Sequence, residues 1–295
     1  MTENVQICPL CENDHSRLFD RRDFHGQEVT NRLCLNCGLV YQSPRMTKSE
    51  SEDFYSQKYR FIYEGSNQPT ARNLADQRGR AESLEMLSRP FITTIRQHLD
   101  IGCSVGVLLQ YFQDMYGCRS VGIEPDDEHR LQAQKDGLAV YTKLDELEKS
   151  EQDRFDLISM VHVLEHLPDP VSFFAHLHER LLAPDGWLLV EVPNLYAHDS
   201  FEVAHLVSFS QHTIKQVLEK ARFEVVKSEQ HGRPRSRLLP LYISLLARPA
   251  SFSHRSFTLQ PEKRVSFKRQ TGMLRRRVLE HLFPRQAWIS PSEKS

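Results

Sequence analysis

The chain has 295 residues, of which 39% are hydrophobic and 26% charged, and its net charge at pH 7 is −1. These values are typical of a soluble globular protein with one or two domains. No run of 18 apolar residues is present, and the N-terminus lacks a basic stretch followed by an apolar one. We therefore expect neither a membrane span nor a secretory signal, and a cytoplasmic protein whose six cysteines are thiols or metal ligands.

The charge is unevenly distributed along the chain. The segment 251–295 carries ten Lys or Arg and three Glu, a net charge of +7, which leaves −8 on the first 250 residues. A basic tail on an acidic body can bind nucleic acid, anionic lipid or the body itself. Within the tail, apolar residues with helical spacing over 267–283 predict one amphipathic helix, which we expect to dock on the body or to pair with a second subunit in a homodimer.

Two C-x-x-C motifs lie 22 residues apart near the N-terminus, at Cys8 and Cys11 and at Cys34 and Cys37. Two such turns supply four thiolates to one tetrahedral zinc and leave no open position, so the pattern predicts a structural zinc site. Short strands over 17–20, 28–33 and 39–41 complete a small zinc-ribbon-like module covering 1–45. The other two cysteines, Cys103 and Cys118, have no partner at this spacing.

An aromatic-rich stretch over 46–72 follows and is interpreted as a connector or as a lid over the site. A helix is predicted for 73–87, ahead of the strand that begins at His98. From there strands alternate with helices up to Arg248. The strands are predicted at 98–101, 120–123, 138–141, 155–161, 187–192, 223–228 and 239–247. Between the fourth and fifth of them we expect a helix over 171–182 and a turn at 184–186. This alternation is typical of an α/β fold with a parallel, doubly wound sheet, here assigned to 73–250.

The turn after the first of these strands is the main candidate for a ligand site. Gly102 and Gly106 bracket it, where the backbone must pass close to a neighbouring group, and a helix begins at Val107. Asp100 precedes the turn, and Glu124 ends the next strand, where a carboxylate can bind two ribose hydroxyls. The spacing does not match the dinucleotide pattern G-x-G-x-x-G. S-adenosylmethionine is another nucleoside cofactor that fits this layout, and the alternative is an ordinary strand-turn-helix of some other α/β protein.

Three polar residues follow the fourth strand, at His162, Glu165 and His166. They have i, i+3, i+4 spacing, which would place them on one face of a helical turn. Ligands bind beyond the carboxyl ends of parallel strands, and a neutral imidazole is the natural base near pH 7. His205, which follows the fifth strand, is expected to approach the same place.

The loop resembles the first motif of class I methyltransferases, an acid followed by three alternating glycines. Asp100, Gly102 and Gly106 match it, and Ser104 replaces the middle glycine, which matters if that position needs a positive φ. The resemblance implies a seven-stranded Rossmann-like sheet and an S-adenosylmethionine site. The cofactor-binding residues assigned on this basis lie at the ends of three strands: Asp100, Gly102, Cys103, Ser104, Gly106, Glu124, Pro125, Met160 and Val161.

A closer resemblance is to methyltransferases that carry an N-terminal zinc-binding domain. It comes from the double C-x-x-C, Asp-Ile-Gly-Cys-Ser from Asp100, His-Val-Leu-Glu-His-Leu-Pro-Asp-Pro from His162 and His-Leu-Val-Ser-Phe-Ser from His205. Some members methylate carbon atoms of nucleotide-linked sugars, and others act in surface-polysaccharide or secondary-metabolite pathways. The shared Glu-His pair implies His166 as the catalytic base and Glu165 as the group that orients it. His162 and His205 are expected to line the acceptor pocket.

Two related activities remain open. Small-RNA and some quinone-pathway O-methyltransferases use a similar Glu-x-x-Glu-His set for a divalent metal. His162 replaces the first Glu here, which lowers the negative charge of the set and weakens the case for magnesium.

The favoured hypothesis is methyl transfer to carbon or oxygen of a small, sugar-containing or pathway-bound acceptor. The alternatives are an RNA methyltransferase that uses the zinc module and the basic tail, and a non-catalytic adaptor. Nucleic acid is disfavoured because the first 250 residues are acidic.

Overall fold

The computed structural model describes residues 2–47, 49–51, 54, 69–151, 153–250 and 257–289. The strands are β1 Thr2–Glu3, β2 Ser16–Phe24, β3 Gln27–Cys34, β4 Val40–Gln42, β5 Arg45–Met46, β6 Gln97–Ile101, β7 Arg119–Ile123, β8 Ala139–Tyr141, β9 Phe155–Val161, β10 Leu182–Pro193, β11 Val207–Ser208, β12 Phe223–His231 and β13 Tyr242–Pro249. The helices are α1 Ala71–Ser88, α2 Val107–Tyr116, α3 Asp127–Lys135, α4 Leu144–Ser150, α5 Pro170–His176, α6 Gln211–Lys220, α7 Val265–Leu282 and α8 Pro284–Ala287.

Seven strands form the main sheet, in the order β12-β13-β10-β9-β6-β7-β8. The five strands from β10 to β8 are parallel, whereas β13 runs antiparallel to β10 and pairs with β12 in a hairpin. The α/β class and the seven-stranded Rossmann-like sheet are therefore confirmed. Strand β9 is almost wholly apolar, as expected of a parallel strand covered on both faces.

Helices cover both faces of this sheet. On one face, α1 and α2 enclose a core that includes Leu84, Phe112 and Leu189. On the other, α5 and α6 bury Phe174 and Ile214. Leu189 and its neighbours in β10 point to opposite faces, because side chains alternate along a strand. The two cores hold the carboxyl ends of β6, β7, β9 and β10 in fixed register.

The N-terminal module forms a second sheet, in the order β11-β4-β3-β2. Strands β2 and β3 form a hairpin whose turn, at His25 and Gly26, has positive φ at both residues, as two-residue hairpins favour. The three strands predicted for the module are present. The fourth strand, β11, comes from residues 207–208 of the body and was not predicted, because two residues carry no periodic signal.

Some elements differ from the sequence predictions. A turn predicted at 184–186 lies within β10, where the pairing with β9 skips from Leu182 to Trp187. The helix predicted over 171–182 is α5 followed by a π-helical turn over Leu177–Leu181. Most of the connector or lid predicted for 46–72 lies outside the described residues. Among the described helices, none combines the length and apolar character needed to cross a bilayer.

The predicted tail helix is α7, and one of its faces docks on the body. Arg269 donates to the carbonyls of Leu195 and His198, and Arg276 donates to that of Ala197. The segment before α7 contacts the cysteine module, where the backbone N–H of Glu262 donates to the carbonyl of Cys37 at 3.0 Å. The tail thus bridges the two parts of the chain.

Candidate functional site

The loop after β6 is folded over the end of β7. The backbone N–H groups of Gly102 and Cys103 both donate to the carbonyl of Ile123, at 2.8 and 3.0 Å. Gly102, Ser104 and Gly106 have φ values of +79°, +53° and +83°. Position 104 therefore does require a left-handed conformation, which costs a non-glycine residue roughly 1–2 kcal/mol. The hydroxyl of Ser104 lies 2.8 Å from Nδ1 of His129, a contact that glycine could not make.

The two glycines of this loop are needed for space as well as conformation. A Cβ atom on Gly102 would lie 2.3 Å from Cγ2 of Val163, and one on Gly106 would lie 2.2 Å from Cδ1 of Leu138. Both distances are far below van der Waals contact. The first of them shows that the loop packs directly on the segment between His162 and Glu165.

Two buried carboxylates border the loop. Asp100 is 3% exposed and accepts a 2.6 Å hydrogen bond from the hydroxyl of Ser159. Burial, reinforced by the charge of Glu124, raises the pKa of Asp100 to about 7. Glu124 accepts the backbone N–H of Ser104 at 2.8 Å and that of Asp126 at 2.9 Å. The predicted ribose-binding carboxylate therefore also holds the loop in shape.

The other assigned cofactor residues differ in how they meet this site. Cys103 is buried with its thiol beside Gly122, which leaves its backbone as the part available to a ligand. Met160 is fully buried in the core, whereas Val161 is half-buried and Pro125 is exposed. Strand pairing places Ile101 opposite Met160, so the ends of β6 and β9 are adjacent. The structure thus gathers the predicted residues at one edge of the sheet.

Glu165, His166 and His205 form a cluster next to the loop. Glu165 and His166 lie in a 3₁₀ turn over Leu164–His166, and the rings of His166 and His205 are 4.9 Å apart between centroids. Nδ1 of His166 lies 2.9 Å from the carbonyl of Ala204, and Nδ1 of His205 lies 2.7 Å from that of Ser200. A carbonyl only accepts, so each Nδ1 carries a proton and each lone pair lies on Nε2.

Electrostatics fix the charge of this cluster. Burial would raise the pKa of Glu165, but the His162 hydrogen bond and the neighbouring rings lower it to about 2. Burial lowers the pKa of His166, and burial together with the neighbouring His166 ring lowers that of His205 to about 4. At neutral pH the cluster is therefore one carboxylate with two neutral imidazoles.

This cluster is chemically suited to bind a proton or a cation. One ligand atom from each of Glu165, His166 and His205 lies within 4.8 Å of the other two. In the described part of the chain, Oε2 of Glu165 is buried without a hydrogen-bond partner. Because buried charges are paired or coordinate metals, this second oxygen of Glu165 is suited to accept a proton or to ligate a cation.

His162 lies beside the cluster but does not share a helical face with it. Its φ of +56° places it before the 3₁₀ turn, so the prediction of one helical face was wrong. Nδ1 of His162 lies 3.3 Å from Oε1 of Glu165, and Nε2 lies 3.2 Å from Oε1 of Glu191. The ring thus bridges two buried carboxylates.

Glu191 was missed in the sequence. It is fully buried in β10, where Arg80 donates to its Oε1 at 2.7 Å and Ser244 donates to its Oε2 at 2.8 Å. His231 lies 3.3 Å from the same Oε2 atom. Hydrogen bonds from His162 and His231, together with the charge of Arg80, hold the pKa of Glu191 well below its ordinary value despite burial. The signal was present, since Glu191 is the one charged residue in the apolar stretch 187–192.

The four predicted zinc ligands form a separate cluster. The sulfur atoms of Cys8 and Cys37 are 3.5 Å apart, as are those of Cys11 and Cys34, and all four lie within 4.8 Å of one another. Four thiolates around a tetrahedral zinc are roughly 3.8 Å apart, since each Zn–S bond is about 2.3 Å. Cys103 and Cys118 are buried elsewhere. The donor set and spacing fit zinc.

Comparisons with known proteins agree with this architecture. The family described as "Methyltransferase domain" matches residues 68–228, more than half of the chain. Two curated relatives are ubiquinone biosynthesis O-methyltransferases, from Rhodopseudomonas palustris (32% identical over 101 residues) and Actinobacillus pleuropneumoniae (33% over 107). Each alignment covers 32% of this chain and 39% or 45% of the relative, so the match spans less than half the length of either curated protein.

Solved structures show the same fold at lower identity. The Burkholderia thailandensis 1,6-didemethyltoxoflavin-N1-methyltransferase, bound to 1,6-didemethyltoxoflavin and S-adenosylhomocysteine, superposes with a TM-score of 0.55 at 18% identity, over 79% of this chain and 100% of that one. The plantazolicin methyltransferase BpumL, in complex with S-adenosylhomocysteine, superposes with a TM-score of 0.51 at 13% identity, over 68% and 93%.

Proposed function

The chain belongs to the methyltransferase domain family, and from that premise we propose that it is an S-adenosylmethionine-dependent methyltransferase with a small biosynthetic acceptor. One observation carries the proposal. The glycine loop packs through Gly102 on Val163, within three residues of both His162 and His166. A donor held by the loop would thus lie next to a cluster that can take up a proton.

The donor site consists of the loop and its two carboxylates. Glu124 would bind the ribose hydroxyls, and Asp100 would face the positively charged methionyl part near the start of α2. The three positive-φ residues let the backbone come close to the ligand. When bound, S-adenosylmethionine supplies an electrophilic methyl group.

His166 would act as the base. Its Nε2 carries the lone pair, and burial keeps the ring neutral at pH 7. Nε2 would accept the proton from a hydroxyl or an acidic C–H of the acceptor as the acceptor atom bonds to the methyl carbon and the carbon–sulfur bond breaks. Glu165 would stabilise the imidazolium that results, because its charge is held beside the ring.

The cysteine module would bind one structural zinc. Four thiolates leave no position for substrate, so the ion would stabilise the module and take no part in methyl transfer. This role fits a module whose described strands form a sheet with the body through β11.

A second candidate mechanism uses a divalent ion at Glu165, His166 and His205. The partnerless Oε2 of Glu165 and the carbonyl-bound Nδ1 atoms of both histidines favour it, because such backbone contacts fix the tautomer that ligates a metal through Nε2. Activity that survives exhaustive removal of weakly bound metal favours His166 as the base. Activity restored by added Mn²⁺ or Zn²⁺ favours the ion.

The acceptor class is tested with labelled S-adenosylmethionine. One panel contains nucleotide-linked keto-sugars, as the resemblance to sugar methyltransferases suggests, and the other contains hydroxyl-bearing ubiquinone precursors, as the names of the curated relatives suggest. We expect label transfer to members of one panel. Donor binding without transfer to any acceptor, including total cell extract, would favour the non-catalytic adaptor.

A further inference from the structure

Helix α7 exposes an apolar stripe on the side opposite to its docked face. Phe267, Leu274, Val278 and Leu282 are 62%, 62%, 45% and 60% exposed. Their spacing of seven, four and four residues keeps them on one side of an α-helix. Two further large side chains, Phe283 and Trp288, follow with 46% and 40% exposure. Six large apolar groups in one short segment are more than scattered surface residues.

The contacts of the docked face prevent α7 from rotating about its axis to bury this stripe. Arg269 is 8% exposed and bonds two carbonyls of the 195–198 loop. A Cβ atom on Gly272 would lie 2.0 Å from the carbonyl oxygen of Tyr196, so the helix touches the body backbone there. Because Arg269 and Gly272 fix the helix about its axis, the stripe faces away from the protein.

Positive charge borders the stripe. Arg275 and Arg277 are exposed on its two sides. The segment 257–289 contains eight Lys or Arg and two Glu. Both glutamates form hydrogen bonds within the chain. Glu262 accepts from Tyr196, Ser210 and Lys268, and Glu280 accepts from Arg276. The solvent face of α7 is thus apolar in the centre and basic at its edges.

We propose that α7 binds an anionic membrane surface, lying in the plane of the interface. An apolar stripe flanked by basic residues is complementary to acyl chains bordered by acidic headgroups. A second copy of the chain is a poorer partner, because an isologous contact uses the same patch twice and would bring Arg275 and Arg277 against their equivalents with no acid between them. In this arrangement α7 would lie on the membrane surface and would not cross the bilayer.

The docked face connects this surface to the candidate site. Arg269 and Arg276 hold the loop that contains His198, and the ring of His198 lies 5.8 Å from that of Tyr242, which in turn lies 5.0 Å from that of His162. Membrane binding would therefore place the acceptor side of the site near the bilayer. This link rests on the proposed function, whereas the membrane contact itself does not.

Flotation of the full-length protein with lipid vesicles tests the proposal without any enzymatic assay. We expect binding to vesicles of phosphatidylglycerol and phosphatidylcholine, little binding to phosphatidylcholine alone, and weaker binding as NaCl rises. The double variant Arg275→Gln, Arg277→Gln should bind about 25-fold more weakly, since each basic residue near an anionic surface contributes about 5-fold. The double variant Leu274→Ser, Val278→Ser should lose about 10-fold or more.

The matched control is Leu131→Ser, which alters a side chain that is 51% exposed on α3, and it should bind vesicles like the wild type. Thermal unfolding verifies that every variant is folded. Equal binding to neutral and anionic vesicles, or unchanged binding in both double variants, overturns the proposal. So does a dimer in sedimentation velocity that Leu274→Ser, Val278→Ser abolishes while vesicles are not bound, since the stripe would then belong to a second copy.

Discussion

Gln42 donates its backbone N–H to the carbonyl of Leu206 at 2.8 Å, so the last strand of the cysteine module is fastened to the residue next to His205. The side chain of Gln42 also donates to the carbonyl of Glu202 at 3.2 Å. The loop that presents His205 is thus held from the module side. The cysteine cluster and the candidate acceptor site are therefore connected through these hydrogen bonds, although their proposed roles are separate.

Loss of zinc should therefore affect catalysis more than donor binding. We expect one zinc per chain by elemental analysis of protein purified without chelator, and none in Cys34→Ser with Cys37→Ser. In the variant, β4 loses its support and His205 its position, so turnover should fall at least about 10-fold while S-adenosylhomocysteine affinity changes little. The double variant Cys103→Ser, Cys118→Ser is the control and should retain its zinc. Metal-free wild-type protein would contradict the assignment.

His166→Ala should separate binding from chemistry. Removing a general base lowers a rate roughly 100- to 10,000-fold, whereas the donor loop does not include His166. Calorimetry should show wild-type donor affinity and a labelled-methyl assay should show slow turnover. The comparison with His205→Ala is informative, because full activity in His166→Ala and none in His205→Ala would move the proton acceptor to His205.

The pH dependence follows from the same group. The base works when neutral, so the rate should rise with pH through the pKa of His166 and then level off. Burial lowers that pKa, which places the acid limb below the ordinary histidine value of about 6.5. In His166→Ala the remaining rate should lack this limb. An acid limb that survives in the variant would assign the titration to another group.

Asp100→Asn should stabilise the ligand-free protein above neutral pH. The pKa of this buried carboxyl is raised to about 7, so between about pH 4 and 7 the unfolded chain is ionised where the folded chain keeps its proton. Wild-type stability therefore falls as pH rises through this window, by up to ~4 kcal/mol. Asparagine carries no such penalty. Melting temperatures of the variant and the wild type should be similar near pH 4 and diverge by pH 8.

Parallel curves for the two proteins across this pH range would show that Asp100 ionises freely in the folded state. The variant should also bind S-adenosylmethionine more weakly, because it lacks the carboxylate that would face the positively charged donor.

Much of the fold was predictable because its signals are local. The alternation of apolar strands with helices gives the sheet, and Gly102, Gly106, Glu124 and the cysteine spacing mark the sites directly in the sequence. The roles of these residues remain predictions, whereas their positions in the fold are now described.

What the sequence did not reveal depends on contacts between distant segments. Strand β11 exists because residues 207–208 pair with the cysteine module, and two residues have no periodicity to detect. His162 has a positive φ and bridges Glu165 and Glu191, which are distant in sequence from each other. The position of Glu191 opposite Val161 becomes visible only when β9 and β10 are paired. The exposed stripe of α7 could not be distinguished from its docked face until Arg269 was placed.

The central claim is that the loop over 100–106 and Glu124 bind S-adenosylmethionine, and calorimetric titration with S-adenosylhomocysteine tests it most directly. Glu224→Gln, which changes an exposed carboxylate paired with Arg248 on β13, is the matched control. The account predicts one site per chain in the wild type and in this control. It predicts about 10- to 100-fold weaker binding in Glu124→Gln, because the charge and one of the two accepting oxygens are lost. No binding by the wild type, or equal affinity in Glu124→Gln, would contradict it.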